Sequence, residues 1–366
     1  ATPQVTAYLD HAIKQASQTG VKSMDIDLAR KDGLVEYIDP MAPYLQKIAS
    51  IVDLSIISDS EMDIVTDAMY GAGAGYFPSL LSERKKSVFE LHGKRNPCFP
   101  GISQPEPIAH NLGGLSKTVV DEAAHIGLAL DADADRLGII DENGTFVTPL
   151  QIFSLLALYL LEVQGERGAL VKTQTSSDMI FRLGEIFNVP VFETPVGFKY
   201  VAPVMLHHKA LIGGEESGGY AFRGHIPDRD GILSGLILLE FMAKSGKSIS
   251  ELVRYLHDKV GPHSYQRRDV QLSAKTRERI VSTISTLNPN NIGENQVIND
   301  DHMDGRRFRF KKGWVVIRFS GTEPLLRLYA EADTAIGVER ILDCLLYTSD
   351  AADDTPCVDL GGRRII

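Results

Sequence analysis

The run Asp131-Ala132-Asp133-Ala134-Asp135-Arg136 sets three carboxylates at alternate positions. They converge only if the backbone turns around a point. Like charges drawn that close repel unless a cation sits between them, and hard oxygen ligands favour Mg²⁺ or Ca²⁺. An EF-hand is the obvious rival, because Glu142 falls at loop position 12. Position 6, however, is Arg136 where that loop needs glycine, and the flanks read as apolar strands rather than helices. A solvated acidic turn is the plain alternative, and buried strands on both sides argue against it.

Two further stretches have chemical potential. Gly213-Gly214-Glu215-Glu216-Ser217-Gly218-Gly219-Tyr220 follows a strand, where open α/β sheets place ligand contacts. Its carboxylates can accept hydrogen bonds from sugar hydroxyls, and its glycines permit close approach. Taken alone it fits a plain turn equally well. Arg318-Phe319-Ser320-Gly321-Thr322-Glu323-Pro324, with Arg327 beyond, lies between two strands. Guanidinium groups, hydroxyls and free backbone N–H groups there suit a phosphate dianion. A strand-end turn with a surface arginine is the rival reading.

The elements that must position these loops are legible in outline. Thr2-Pro3 opens a helix with Val5, Leu9 and Ile13 at helical spacing. Residues 41–55 read as a helix, 63–66 as a strand, and Gly71 to Gly75 as a tight glycine-rich turn into a helix. Ile126–Leu130 reads as a buried strand. Asn143-Gly144 marks a hairpin between 137–140 and 145–147, and Thr148-Pro149 starts a long apolar helix. From 168 to 240 short strands alternate with helices, which predicts a mostly parallel sheet. Residues 263–343 read as strand, helix near 274–285, two strands and a last helix. The fold class expected is α/β: consecutive mixed or parallel-sheet α/β domains, then a smaller C-terminal α+β domain, with a cleft at their junction. No sequence repeat is apparent.

Composition narrows the function. The 366 residues are 43% hydrophobic and 23% charged, with a formal net charge of -10. That acidic balance argues against general nucleic-acid binding, though a local basic pocket for an anion remains compatible with it. Cys98, Cys344 and Cys357 are odd in number and widely spaced, indicating neither a disulfide framework nor a zinc site, and they fit unpaired thiols in a reducing compartment, the cytoplasm. The longest apolar run, 152–163, is too short to span a bilayer, and no membrane association is expected. Residues 345–366 do not continue the preceding helix pattern and resemble a translated sequencing adapter, a non-native tail.

Together the three motifs, in this order, resemble the α-D-phosphohexomutase superfamily over about residues 1–344. The family's Asp-x-Asp-x-Asp-Arg metal loop is matched by Asp131, Asp133, Asp135 and Arg136, and its Gly-Glu-x-Ser-Gly sugar loop by Gly214, Glu215, Ser217 and Gly218. The resemblance implies that Glu215 and Ser217 hold the O3 and O4 hydroxyls. The phosphate loop is matched by Arg318, Ser320, Gly321 and Thr322, with Arg327 as helper. Thr194, Gly197 and Lys199 fall in a loop that resembles another sugar- and phosphate-contacting segment. His225 and Arg229 fall in one where a basic residue lies near the transferring phosphate, so Arg136, Arg229 and His225 are the catalytic candidates. The activity implied is Mg²⁺-dependent exchange of phosphate between C1 and C6 of a hexose, through a phosphoserine and a hexose 1,6-bisphosphate.

Two departures from that pattern matter. No Ser-His-Asn-Pro occurs in the chain, so the nucleophile is expected to be missing and the chain to be inactive alone. The domains expected are 1–42, a remnant of the first; 43–146, with the metal loop; 147–261, with the sugar loop; and 262–344, with the phosphate loop. Gly219 stands where many relatives have histidine, and with Glu216 it favours glucose over mannose phosphate; glucosamine phosphate is less favoured. The competing readings are a non-catalytic sugar-phosphate-binding protein and a calcium-binding structural module. Oligomeric state is not legible.

Overall fold

The computed structural model describes residues 3–81, 88–271, 284, 287–320 and 325–346. Residues 1–53 and 54–366 form two compact units. The first holds helices α1 (Pro3–Thr19), α2 (Ile26–Lys31) and α3 (Met41–Ala49). Asp25 caps α2 by accepting the N–H groups of Asp27 and Leu28. The apolar stripe Val5, Leu9 and Ile13 is present on α1 and is exposed. The helix expected over 41–55 is two helices. After α3 the Ser50 hydroxyl donates to the Lys47 carbonyl at 2.6 Å, competing with the helical ladder, and α4 (Leu54–Asp59) begins afresh.

The second unit contains three large sheets. In the first, β1 (Ile64–Asp67) lies between β2 (Val88–Leu91) and β3 (Ile126–Leu130), all parallel; β4 (Leu137–Asp141) and β5 (Phe146–Val147) follow antiparallel. In the second, β6 (Leu170–Thr173) lies between β7 (Val191–Thr194) and β8 (Ile212–Gly214), again parallel, and β9 (Tyr220–Phe222) closes antiparallel on β8. The two sheets share one topology, so the loop after the third parallel strand is equivalent in both. The metal loop follows β3 and the sugar loop follows β8.

Helices fill the space around the sheets, α5 (Tyr76–Leu81) and α6 (Gly113–Asp121) on the first and α8 (Met179–Phe187) on the second, while β11 (Asn291–Ile292) and β12 (Asn295–Gln296) form a small ribbon of their own. α7 (Pro149–Leu158) opens with Thr148 and Gln151 in a reciprocal capping box, with Pro149 at its first position. It continues into a π turn over Tyr159–Val163. The apolar run is core from 152 to 161, and among the described residues no helix is long and apolar enough to cross a membrane. α9 (Phe198–His208) packs on β6 and β8. α10 (Gly231–Ser245), capped by Asp230, is buried through Met242. α11 (Ile249–Val260) leads to the last sheet.

That sheet is wholly antiparallel: β10 (Ser264–Gln271), β16 (Leu325–Ala332), β15 (Gly313–Phe319), β14 (Arg306–Phe310) and β13 (Asn299–Asp301), in that order. Strand alternation divides β15 cleanly. Val315 and Ile317 face a core shared with Val338, Ile341, Leu342 and Leu345 of the final helix α12 (Ala335–Leu346). Trp314 and Val316 lie in the opposite cluster with Tyr329. The helix expected near 274–285 falls largely outside the described residues, as do Cys357 and the tail from 347. Cys98 and Cys344 are free thiols.

One capping interaction ties the first sheet to α11. The Ser248 hydroxyl accepts the Glu251 N–H of its own helix and donates to Glu142 Oε1 at 2.7 Å. Ser248→Ala removes both bonds and lowers stability by about 1–2 kcal/mol. A thermal melt reads this as a lower midpoint; an unchanged midpoint contradicts it.

Candidate active site

β3 is buried along its whole length and ends by delivering Asp131, 5% exposed, into a turn. Carboxylate oxygens of Asp131, Asp133 and Asp135 all lie within 4.8 Å of one another. The Arg136 N–H donates to Asp131 Oδ1 at 3.0 Å and closes the loop. The Asp131 carboxyl is pushed up to about 8 by burial, then by the neighbouring Asp135. A buried carboxylate surrounded by its own kind takes a proton unless a cation replaces it. The donor set is hard oxygen, so the trio fits Mg²⁺. Glu142 rules out the helix-loop-helix alternative: it lies beyond a strand, and its carboxylate is taken by Ser248 and Ser250.

The loop is held by backbone on two sides. Ala72 N–H donates to the Ala132 carbonyl at 2.8 Å, and a Cβ on Gly71 would lie 2.5 Å from that same oxygen. Gly231 N–H donates to the Ala134 carbonyl at 3.0 Å. The glycine-rich turn is thus a support on which the metal loop rests.

The sugar loop meets the metal loop directly. Leu137 N–H donates to the Gly218 carbonyl at 2.9 Å, and Arg136 bridges to Gly219 as an isolated antiparallel pair. Glu215 is 4% exposed. It accepts the Gly197 N–H at 2.9 Å and lies 3.5 Å from Arg229 Nη1. Burial, then Glu216, push its carboxyl up to about 7 against the opposing pull of Arg229. Glu216 turns instead toward the β6 end, where the Thr175 hydroxyl donates to it at 2.6 Å. Ser217 is half-buried.

In the C-terminal sheet Arg318 and Arg327 stand directly opposite on β15 and β16. Like charges so placed repel. Carboxylates relieve them in part: Arg318 Nε contacts Asp304 Oδ2 at 2.7 Å, and Arg327 Nε lies 3.8 Å from Asp269. Burial works against the Arg318 charge, but Asp304 outweighs it and raises the pKa. Ser320 is buried, its N–H on the Leu325 carbonyl at 2.9 Å. Gly321 and Thr322 lie outside the described residues.

Family models of phosphoglucomutase/phosphomannomutase match this chain in three consecutive pieces: alpha/beta/alpha domain II over residues 42–144, alpha/beta/alpha domain III over 148–260, and the C-terminal domain over 286–345. The chain belongs to the α-D-phosphohexomutase superfamily. It is 35% identical over 294 residues to a phosphoglucomutase/phosphomannomutase of Thermococcus kodakarensis, an alignment covering 80% of this chain and 62% of that protein. It is 29% identical over 344 residues to a Pyrococcus furiosus protein provisionally described as a phosphoglucosamine mutase, covering 93% and 71%. A crystal structure from Thermus thermophilus, provisionally described as a phosphomannomutase, superposes with a TM-score of 0.73 at 32% identity, covering 84% of this chain and 65% of that one.

Within this superfamily frame the other candidates take different places. Arg229 reaches both loops: it pairs with Asp135 as well as Glu215. Gly219 makes this possible, since a Cβ there would lie 2.2 Å from Arg229 Cδ. His225 is half-buried, its side chain 6% exposed and its ring 2.9 Å from Asp230, the α10 cap, so it braces the loop that carries Arg229. Thr194 is buried with its hydroxyl on the Pro195 carbonyl at 3.0 Å. Lys199 is exposed, over the Tyr200 ring at 5.0 Å. Arg136 Nη1 pairs with Glu106 at 3.0 Å while its Nε faces Asp131 at 3.5 Å. A separate cavity of about 490 Å³ beside the linker 260–263 is lined by none of these residues.

Glu106, Asp304 and a buried charge cluster are members that motif spacing misses. In that cluster Lys172, 0% exposed, lies 3.0 Å from Glu193, and Arg307 from the C-terminal sheet donates to Glu193 at 2.7 Å. Arg309 donates to Asp178 at 2.9 Å. Their signal in the sequence is only a lysine inside an apolar strand and an arginine-rich one, Arg306-Arg307-Phe308-Arg309.

These contacts have two measurable consequences. Gly219→His drives a side chain into the space of Arg229 and parts it from Asp135 and Glu215, so stability falls by about 1–3 kcal/mol; an unchanged thermal midpoint contradicts the packing. The second concerns acid. Burial opposes ionisation of Glu193, but Lys172 and Arg307 win and hold it down at about 2. A depressed carboxylate stabilises fully above its unfolded value of 4.5 and loses that as pH falls through the folded value. About 3 kcal/mol therefore disappears between those limits, detectable as a red shift of Trp314 emission that Glu193→Gln, already destabilised at neutral pH, shows with a weaker acid dependence.

Proposed function

We propose that this chain supplies the metal, sugar and phosphate sites of a phosphohexomutase moving phosphate between C1 and C6 of a hexose, with glucose favoured over mannose. One observation carries the reading. An unbroken line of polar contacts runs from the aspartate trio through Arg229, Glu215, the 196–197 amides and Asp304 to Arg318. Two anion-recognising ends and a hydroxyl-recognising middle match a hexose phosphate in chemistry.

Each residue then has a role. Asp131, Asp133 and Asp135 would hold Mg²⁺, which when bound neutralises charge on the transferring phosphoryl group. Arg229 and Arg136 sit where they add positive charge to the same group. His225 keeps that segment in place. Glu215, near neutrality in its titration, can accept from one sugar hydroxyl or donate to it, with Ser217 beside it on the adjacent hydroxyl. Arg318, Ser320, Gly321, Thr322 and Arg327 grip the distant phosphate, and Thr194, Gly197 and Lys199 line the loop between. A phosphoserine passes its phosphoryl group to the free hydroxyl of a hexose monophosphate. The resulting 1,6-bisphosphate turns over, and its other phosphoryl returns to the serine oxygen.

The assignment of residues 43–146, 147–261 and 262–344 to the three ligand-bearing domains belongs to this proposal, as does a cytoplasmic location. So does the role of the missing motif: with no Ser-His-Asn-Pro in 366 residues, this chain binds but does not turn over. That absence also favours a second reading, a sugar-phosphate-binding protein without catalysis. A panel of hexose 1-phosphates decides between them. Joined to a superfamily domain bearing the serine, the protein interconverts glucose 1-phosphate faster than the mannose and glucosamine analogues. Loss of turnover in Asp133→Asn, with sugar-phosphate binding kept, is expected. No turnover by the extended protein leaves the binding-protein reading, and turnover by the present chain alone refutes the serine assignment.

A further inference from the structure

Two adjacent amides of the 194–197 loop are held by carboxylates that come from different domains. Gly197 N–H donates to Glu215 Oε1 at 2.9 Å, and Val196 N–H donates to Asp304 Oδ2 at 3.0 Å. The same Oδ2 receives Arg318 Nε at 2.7 Å. The Asp304 carbonyl in turn accepts the Gln174 side-chain amide from the loop after β6. Residue 304 can stand this close because Gly305 follows it with φ 90°, where a Cβ would lie 2.3 Å from the Ile317 carbonyl oxygen.

We infer that Asp304 is a positioning residue that couples phosphate recognition at Arg318 to sugar recognition at Glu215. The inference rests on the site reading given above. The bond engages Nε of Arg318, so a phosphate can grip the terminal nitrogens without expelling Asp304, and the guanidinium plane is set beforehand. Through its second bond the same oxygen fixes Val196, and with it the neighbouring Gly197 amide that orients Glu215. A phosphate end and a sugar middle on separate domains are thereby kept at one spacing. The carboxylate also exacts a cost: it repels an incoming dianion. Charge repulsion at close range outweighs the preorganisation lost when one arginine is freed. The repulsion is the larger effect on inorganic phosphate, which needs no sugar loop.

These opposed effects separate positioning from plain structural support. Calorimetry on the full chain with Mg²⁺ present compares inorganic phosphate with glucose 6-phosphate as probes. In Asp304→Ala the advantage of glucose 6-phosphate over inorganic phosphate falls about tenfold or more, while inorganic phosphate binds as tightly as before or tighter. Asp304→Asn keeps an oxygen for Val196 and Arg318 without the charge, so it restores most of the advantage. Glu215→Gln lowers the advantage in the wild-type background and adds little in Asp304→Ala. The emission of Trp314, the chain's single tryptophan, and the thermal midpoint monitor folding. If the alanine variant does not fold, Asp304→Ser, which is too short to reach both partners, is read by the same ratio. An unchanged ratio, or equal weakening of both ligands, overturns the coupling and leaves the site reading intact. Failure of the wild type to bind either probe, or Arg318→Ala binding both as the wild type does, overturns the site reading and the coupling with it.

Discussion

A carboxylate trio buried at the end of a strand sets the terms for everything near it. Burial and mutual repulsion push Asp131 toward its neutral form, yet a metal site needs all three charged. The loop keeps its shape because counter-charges lie beside it: Arg136 at its own end, and Arg229 brought in from the segment before α10. Arg229 in turn shares itself with Glu215, whose other oxygen is occupied by a backbone amide. No group in the line is satisfied by its sequence neighbours alone. The site is therefore a consequence of how the sheets are placed: the glycines at 71, 218 and 231 are where that placement needs backbone-to-backbone approach, and Gly219 makes room for the Arg229 side chain.

The shared topology of the first two sheets explains why the loops meet. Ligand loops in open α/β sheets lie at the carboxyl ends of parallel strands. Here the two equivalent loops, each between a third parallel strand and an antiparallel return, are hydrogen-bonded to one another through Leu137 and Gly218. One holds the aspartate trio and the other the buried carboxylate of Glu215. The third sheet contributes differently. Its antiparallel register sets two arginines side by side, a destabilising arrangement that an anion relieves.

The charge cluster of Lys172, Glu193, Arg307 and Arg309 joins the second sheet to the third. Buried ion pairs add little net stability over apolar packing of the same volume, but breaking one partner is costly. Such a cluster fixes one register between the two sheets, because any other leaves a buried charge unpaired. Asp304 lies in the same strand-entry region as Arg306 and Arg307, so the device that joins the domains and the one that aligns the phosphate site are neighbours along the chain.

The chain's local pattern determined a good deal by itself. The alternating aspartates, the Asn143-Gly144 hairpin, the Thr148-Pro149 helix start and the βαβ alternation after 168 are each dictated by nearby residues, through turn geometry, capping and side-chain period, and the folded chain has them. The sequence also marked three loops as chemical, since carboxylates, guanidinium groups and glycines cluster in them. It misjudged the 41–55 helix, whose break depends on a serine bonding backward to Lys47. It offered the His225 side chain as a catalytic candidate, and the fold adds that this ring lies against Asp230, the α10 cap. Only tertiary structure made the 71–75 turn a bed for the metal loop, gave Gly219 its purpose under Arg229, and brought Asp304 to Arg318 and Val196. Those contacts join residues from ten to more than a hundred positions apart, and burial of charge, which decides which of them form, is a property of the assembled molecule rather than of any stretch of it.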